Sequence, residues 1–393
     1  MKKNKIKDNL IKIFLLINIL SAIGIPCLGY YINGISYYYF FISVVSGIAV
    51  LILRPRIRVK GFFKFILLYY FFIMLPTIFY KGDMYLLLCE CGINIFTILL
   101  WNSFNKEEFK KYLPVLVLAL EILTYANFFI ILKYPEGLYN QGFIRKYYLF
   151  GHVNIAIRYL LPGCCLNFIR AYLYKNKLDI RSKIYFIIVC LTIMITFPAT
   201  AIVGMIVFSL CFMSLLCNNK LFGFITPIKL FAISGTISFL IIYVKIQNLF
   251  YGFIKNVLHK DLTFSGRTEI WNLAIDKIKN NLILGYGRLT TEQRTVVFNA
   301  TSAHNQFLNF LFEGGVGLLL TICVIFIIIS KKLKECNNKK IRAVITATIA
   351  SYLFMWITEP FSYSGTLLMF IIFMIAYYSD VFFEKDELLK GEK

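Results

Sequence analysis

Three histidines occur in this 393-residue chain, and His304 stands in the run Ala303-His304-Asn305-Gln306-Phe307-Leu308, where a polar stretch passes into an apolar one. An imidazole at such a boundary can take a proton at working pH, which makes His304 a candidate general base. As a residue type, a lone histidine there is more often a polar tip reaching for water. Upstream, Ser265-Gly266-Arg267-Thr268-Glu269-Ile270-Trp271 offers a guanidinium whose fork matches phosphate, with Trp271 one turn on, and Arg288 follows Gly285-Tyr286-Gly287. A third group lies in Gly151-His152-Val153-Asn154-Ile155-Ala156-Ile157-Arg158, where Asn154 and Arg158 share a helix face and His152 begins the helix. Arg158, Glu90 and Glu121 fall inside apolar runs, where a charge is costly unless it is paired or lines a wet cavity. A structural pair such as Arg158 with Glu121 is as good a reading as direct contact between Arg158 and a substrate.

The elements that must position these residues are set by composition. The chain is 59% hydrophobic and 17% aromatic, beyond the apolar fraction of an ordinary soluble domain. Apolar runs of about 20 residues, long enough to cross about 30 Å of hydrocarbon as helix, recur along almost the whole length. Barrel-type alternation is absent, so the fold expected is all-α: a polytopic transmembrane helical bundle of about 12 spans with one long helical extracytoplasmic loop. The spans are placed near 10–31, 36–53, 62–80, 84–101, 112–132, 149–169, 183–197, 200–217, 226–245, 304–330, 341–357 and 365–382. With a cytoplasmic N-terminus, inner segments carry 29 Lys and Arg against 12 outside, the asymmetry of the positive-inside rule. Both termini are then cytoplasmic and the candidate residues face outside. The division is 1–246 for an N-terminal bundle of about nine spans, 247–303 for the extracytoplasmic loop, and 304–393 for the C-terminal spans.

Within that loop, Ile270, Trp271, Ala274, Ile275 and Ile278 form one stripe of an amphipathic helix, with Ser265 as N-cap and Asn280 and Asn281 at its end. The helix either lies flat on the outer leaflet with Trp271 at the interface or packs over the bundle as a lid. The loop carries more basic than acidic side chains, which suits an anionic head group.

The net charge of +22 does not imply nucleic acid, because the basic residues sit between hydrophobic runs instead of gathering on one soluble face. The ten cysteines avoid the expected outer loops, so they read as small apolar packers or reduced thiols. Cys89-x-Cys91 and Cys164-Cys165 lack the spacing of a zinc site, and no acidic cluster in the outer loops suggests a divalent metal. Gly285-Tyr286-Gly287 neither follows a strand nor opens a helix, so it is a turn and not a nucleotide loop. The basic head and apolar body of residues 1–32 resemble a signal peptide, but no small-x-small site follows, and an uncleaved first span is expected.

In this order, these residues resemble the O-antigen ligase and polysaccharide polymerase (Wzy-type) superfamily. The resemblance rests on Ser265-Gly266-Arg267 with Trp271, Asn281-Leu282-Ile283-Leu284-Gly285-Tyr286-Gly287, His304-Asn305 with Leu308, and Glu313 with Gly314, Gly315 and Gly317. Gly151-His152-Val153-Asn154 is similar to a Gly-x-His-Pro-Asn motif of such polymerases. Two departures stand out: Asn281-Leu282 lacks a proline, and Phe197-Pro198-Ala199-Thr200-Ala201 lacks the arginine often found before the eighth span, a charge that Arg158 is a candidate to supply.

The resemblance implies metal-independent, inverting glycosyl transfer in a bacterial inner membrane, with no cofactor. A sugar hydroxyl attacks an anomeric carbon whose leaving group is a polyprenyl diphosphate. His304 would be the base, and Arg267, Arg288, Arg158, His152, Asn154, Asn305 and Trp271 would bind substrate. The implied partners are a polyprenyl-diphosphate-linked oligosaccharide, membrane lipid, a chain-length regulator and a flippase. A capsule- or O-antigen-type polymerase is the leading expectation, on the Gly-x-His-x-Asn element. An O-antigen ligase, a lipid-linked oligosaccharide flippase or exporter, and a noncatalytic scaffold are the alternatives. A flippase should show related halves with sites near the midplane, which this sequence does not.

Overall fold

Without water at hand, a backbone must close its hydrogen bonds within each segment, and the computed structural model does so almost entirely with helices. It describes residues 2–54, 61–139, 146–217, 220–245, 266–361 and 365–384. The first third of the chain forms α1 (Lys2–Ile23), α2 (Leu28–Tyr31), α3 (Ile35–Leu53), α4 (Phe62–Phe79), α5 (Met84–Asn102) and α6 (Lys106–Lys133). A two-residue antiparallel hairpin, β1 (Tyr147–Tyr148) with β2 (Gly151–His152), precedes α7 (Val153–Lys175), and with an antiparallel bridge from Tyr139 to Tyr147 it departs from an all-α fold. Next come α8 (Ile180–Thr196), α9 (Ala199–Cys217), α10 (Leu221–Phe224) and α11 (Pro227–Phe239), the last running on as a π-helical segment, Leu240–Val244. The final third holds α12 (Arg267–Asn280), α13 (Thr291–Phe298), α14 (Gln306–Glu335), α15 (Lys339–Met355), α16 (Thr366–Tyr377) and α17 (Ser379–Phe382).

Among the described residues, seven helices are long and apolar enough to cross a membrane: α3, α4, α5, α6, α9, α11 with its π extension, and α14. The chain is therefore a multi-pass membrane protein. The other expected spans fall on α1, α7, α8, α15 and α16, which are shorter or more polar, and twelve crossings remain an inference from apolar length. Two boundaries move for local reasons. The first helix stops at Ile23, before Gly24 at φ 65° and a Pro26 that disfavours helix at Ile25, so it does not reach residue 31. The sixth starts at Val153 instead of 149, because the hairpin and Gly151 at φ 83° intervene.

α14 is the hub for the site. It packs on α4, α11, α12 and α16, while α15 lies against α9 and α7. The expected amphipathic helix is α12, and its stripe of Trp271, Ala274, Ile275 and Ile278 is buried with Ile242, Leu289, Phe298, Leu308 and Phe312 in a small second core. Packing on the bundle, not lying on the leaflet, is thus what the stripe does. Trp271, 1% exposed, is a core residue and not an interface anchor. Ser265, expected as the N-cap, lies outside the described residues, as does 246–265 generally; α12 starts at Arg267 after Gly266 in the left-handed region, φ 84°.

Candidate active site

His304 is held in the left-handed region, φ 45°, immediately before the N-cap of α14. That backbone geometry is uncommon for a side chain with a Cβ and persists only where its surroundings enforce it. They do so here through three bonds to the connection between α15 and α16. Asn305 Nδ2 donates to Ile357 O at 2.9 Å, Gln306 N donates to Trp356 O at 2.8 Å, and Gln306 Oε1 accepts from Phe361 N. Asn305 also caps α14 by accepting from Leu308 N at 3.0 Å and donates to Ser238 at 3.2 Å. The connector is thereby stapled onto the start of α14.

The staple brings Glu359 beside His304. His304 Nδ1 lies 3.7 Å from Glu359 Oε2, an ion-pair distance and not a hydrogen bond, while the other carboxylate oxygen accepts from Arg267 Nη2 at 2.7 Å. Arg267 is at the first turn of α12 and 21% exposed, and His304 is 27% exposed, so both reach the surface from a carboxylate that is only 9% exposed. Burial works to raise the Glu359 carboxyl, but His304, Arg267 and Arg158 together outweigh it and hold the group below its ordinary value. Arg158, buried on α7, lies within electrostatic reach of Glu359 and places its guanidinium 5.3 Å from the centre of the Phe361 ring. Close approach by Gly365 fixes its stem: a Cβ there would sit 2.6 Å from Arg158 Cβ. The structure thus gathers Arg158, Arg267 and His304 around one carboxylate.

Arg288 takes a different place from the one expected of a phosphate clamp. It is 0% exposed and bridges two carboxylates, Glu313 at 3.0 Å and Glu90 at 2.9 Å. Glu90 also lies 3.4 Å from Tyr70 Oη and 3.3 Å from Thr366 Oγ1. The cause is a break in α14 at Gly315, φ 60° and ψ −160°, which leaves carbonyls of the preceding turn without helical partners. The Gly285-Tyr286-Gly287 turn supplies them: Tyr286 N donates to Phe312 O at 2.7 Å, Gly287 N to Glu313 O at 2.9 Å, and Val316 N returns to Leu282 O at 3.0 Å. The turn is a splint on a helix, and it delivers Arg288 into the bundle.

Other expectations are corrected in the same way. Asn305 is 0% exposed, with its amide engaged in the staple beside His304. Trp271 belongs to the small core. Glu121 is held by Arg181 Nε at 2.8 and 3.1 Å, so the acidic neighbour of Arg158 is Glu359 and not Glu121. His152 caps α7, its Nδ1 accepting from Asn154 N at 3.3 Å and its ring edge-on to Tyr147, so the contacts described for His152 and Asn154 organise the start of α7. The sequence reading missed Glu359 itself. Its signal is a carboxylate in Thr358-Glu359-Pro360, a short connector between two apolar segments of a strongly basic chain.

A cavity of about 260 Å³ lies beside Glu90 of the buried ion cluster. Glu90 and Asn94 contribute its polar wall, Gly365 and Tyr159 the side towards Arg158, and Ile25, Tyr39 and Leu367 are among its apolar lining. The ends of α1, α3 and α5 form its remaining wall.

Residues 184–323 match the family model described as O-antigen ligase. The match runs from α8 to the middle of α14 and supports the resemblance to the O-antigen ligase and Wzy superfamily. Arg267, Arg288, His304, Asn305 and Glu313 fall inside it, whereas Arg158 and Glu359 fall outside. Neither the curated proteins nor the solved structures gave a match.

Proposed function

We propose, with the family match over residues 184–323 as premise, that the protein is a polysaccharide polymerase that transfers a polyprenyl-diphosphate-linked glycan onto a sugar hydroxyl of another lipid-linked repeat unit. The acceptor hydroxyl gives its proton to His304 Nε2 as its oxygen bonds to the anomeric carbon. The bond from that carbon to the carrier phosphate breaks on the opposite face, inverting the centre. The diphosphate leaves with the bonding electrons, and Arg267 and Arg158 balance its charge. Glu359 faces Nδ1, favours the tautomer with its proton there, and so leaves the Nε2 lone pair for the acceptor. Arg267 has five N–H donors and uses one on Glu359 in the contacts described, so its fork remains available to phosphate. In this reading 247–303 is the extracytoplasmic loop, 1–246 and 304–393 form the bundle of about twelve spans, and both termini face the cytoplasm.

The observation that carries the proposal is the convergence of Arg267 and His304 on the single carboxylate of Glu359, at the rim where α12 meets the bundle. The family description itself favours a second reading, a ligase whose acceptor is a saccharide on a different lipid anchor. Purified protein in liposomes, given a polyprenyl-diphosphate-linked repeat unit, should build polymer, and His304→Ala should leave single units on the outer leaflet. Unchanged polymer length in that variant removes His304 from the reaction. Transfer only to an added lipid-anchored core saccharide identifies a ligase, and units trapped in the inner leaflet identify a flippase.

A further inference from the structure

α7 joins the candidate active site to a second charged region. Arg158 lies near its start, and Arg170 is about 18 Å further along the axis at a rise of ~1.5 Å per residue. At that far end a concavity of about 560 Å³ is lined by Arg170, Lys175, Lys177, Asp179, Arg181 and Lys183, together with Leu178 and Ile180. Cations outnumber carboxylates. Asp179 serves both Arg170, at 2.8 Å, and Lys175, at 3.2 Å, and Arg181 is held by Glu121. Lys177 and Lys183 are exposed and have no carboxylate within ion-pair distance among the described residues. Arg170, which lines the concavity, is 8% exposed, and its buried Nε has no hydrogen-bond partner among the described residues. A buried guanidinium N–H left in that state is what an incoming phosphate oxygen would satisfy.

The neighbouring surface tells a lipid from a free anion. Ile180, a lining residue, begins a row of exposed apolar side chains that continues through Ile184, Ile187, Leu191 and Met194. Their spacing of three and four puts them on one face of α8, running away from the basic concavity along the helix. A basic socket at the head of an apolar track has the polarity of a phospholipid, phosphate first and acyl chains after. We infer that this concavity is a binding site for the head group of an anionic phospholipid, with its acyl chains laid along α8. On the orientation expected from the charge distribution it faces the cytoplasmic leaflet, where anionic head groups attract such basic pockets.

The test uses the full-length protein purified in detergent, its thermal unfolding followed while cardiolipin or phosphatidylcholine with matched acyl chains is added. Cardiolipin should raise the melting temperature in a saturable manner, and phosphatidylcholine should not. The Lys175→Gln, Lys177→Gln, Lys183→Gln triple variant should need on the order of 100-fold more cardiolipin for the same rise, while melting like the parent protein in phosphatidylcholine. If that variant is not recovered folded, the single Lys177→Glu and Lys183→Glu variants of exposed side chains should each weaken the cardiolipin response. Equal responses of parent and variants to cardiolipin overturn the site. A comparable rise from inorganic phosphate or pyrophosphate at the same concentrations, with no gain from the acyl chains, overturns the lipid assignment.

Discussion

Replacing Glu359 by Gln removes one charge from the centre of the candidate site while keeping its shape, so its effect can be worked from the geometry. Unit charges about 4 Å apart interact by about 4 kcal/mol at an effective dielectric near 20. Glu359 Oε2 is 3.7 Å from His304 Nδ1, so this is the scale on which the carboxylate favours the imidazolium formed as the base takes its proton. Two features reduce it: the imidazole is 27% exposed, and Arg267 draws on the same carboxylate. Halving the interaction to about 2 kcal/mol corresponds to about 30-fold in rate. A glutamine can also present either its oxygen or its amide to Nδ1, which leaves part of the population in the wrong tautomer and costs a further few-fold. The expected fall in kcat is thus about 100-fold. The KM for the lipid-linked donor should not rise, because Arg267 loses a competitor for its donors. Glu359→Asp keeps the charge and should recover much of the rate. Glycan transfer in liposomes, with kcat and KM separated, decides the matter. Transfer by the Gln variant within about threefold of the parent, or a loss carried by KM alone, would refute the positioning role argued for this carboxylate.

Arg267→Lys should lower kcat/KM for the lipid-linked donor by about 10- to 100-fold, because an ammonium held by Glu359 cannot also present a planar fork to the diphosphate. Arg288→Met should cost about 3–5 kcal/mol of stability by leaving Glu90 and Glu313 buried without their cation, which would appear as less folded protein in the membrane. Adding Glu90→Gln and Glu313→Gln should restore much of that protein. Because Glu359 is held below its ordinary 4.5 in the folded chain, its stabilisation is fully present above that pH and is lost as pH falls through the folded value. Acidification from about pH 5 to about 3 should therefore lower the melting temperature of the parent more than that of Glu359→Gln.

Periodicity carried most of the fold, because a helix buries one stripe and that stripe is written locally. The spacing of Trp271, Ala274, Ile275 and Ile278 alone assigns them to one face, and α12 buries that face. What the stripe packs against was not legible, since lipid and a protein surface are equally apolar partners. The candidate site was readable where chemistry and position coincide, as at His304 and Arg267. It was unreadable where a contact depends on distant segments meeting. Glu359 matters only because Asn305 and Gln306 hold its connector against α14, and a glutamate in a short turn carries no mark of that staple. Arg288 misled for the converse reason. A polar loop suggests solvent, but the kink at Gly315 created acceptors that drew the turn before Arg288 into the bundle.

That buried ion cluster gives the one around Glu359 its frame. Arg288 ties the segment after α12 to α5 through Glu90 and to α14 through Glu313, while the Gly285-Tyr286-Gly287 turn is bonded to the same kinked helix. α12 is thus fixed at its far end by charge and hydrogen bonds and along its length by the core around Trp271. Only its first turn, bearing Arg267, lies over His304 and Glu359. The two clusters also meet at one step of the chain, because Gly365 packs on Arg158 and the adjacent Thr366 lies 3.3 Å from Glu90. A displacement of α16 at that step would move Arg158 and Glu90 together. The geometry around Glu359 therefore depends on an ion cluster that need never touch a substrate, and loss of Arg288 should disturb the site by releasing α12, with no change in the chemistry available to His304.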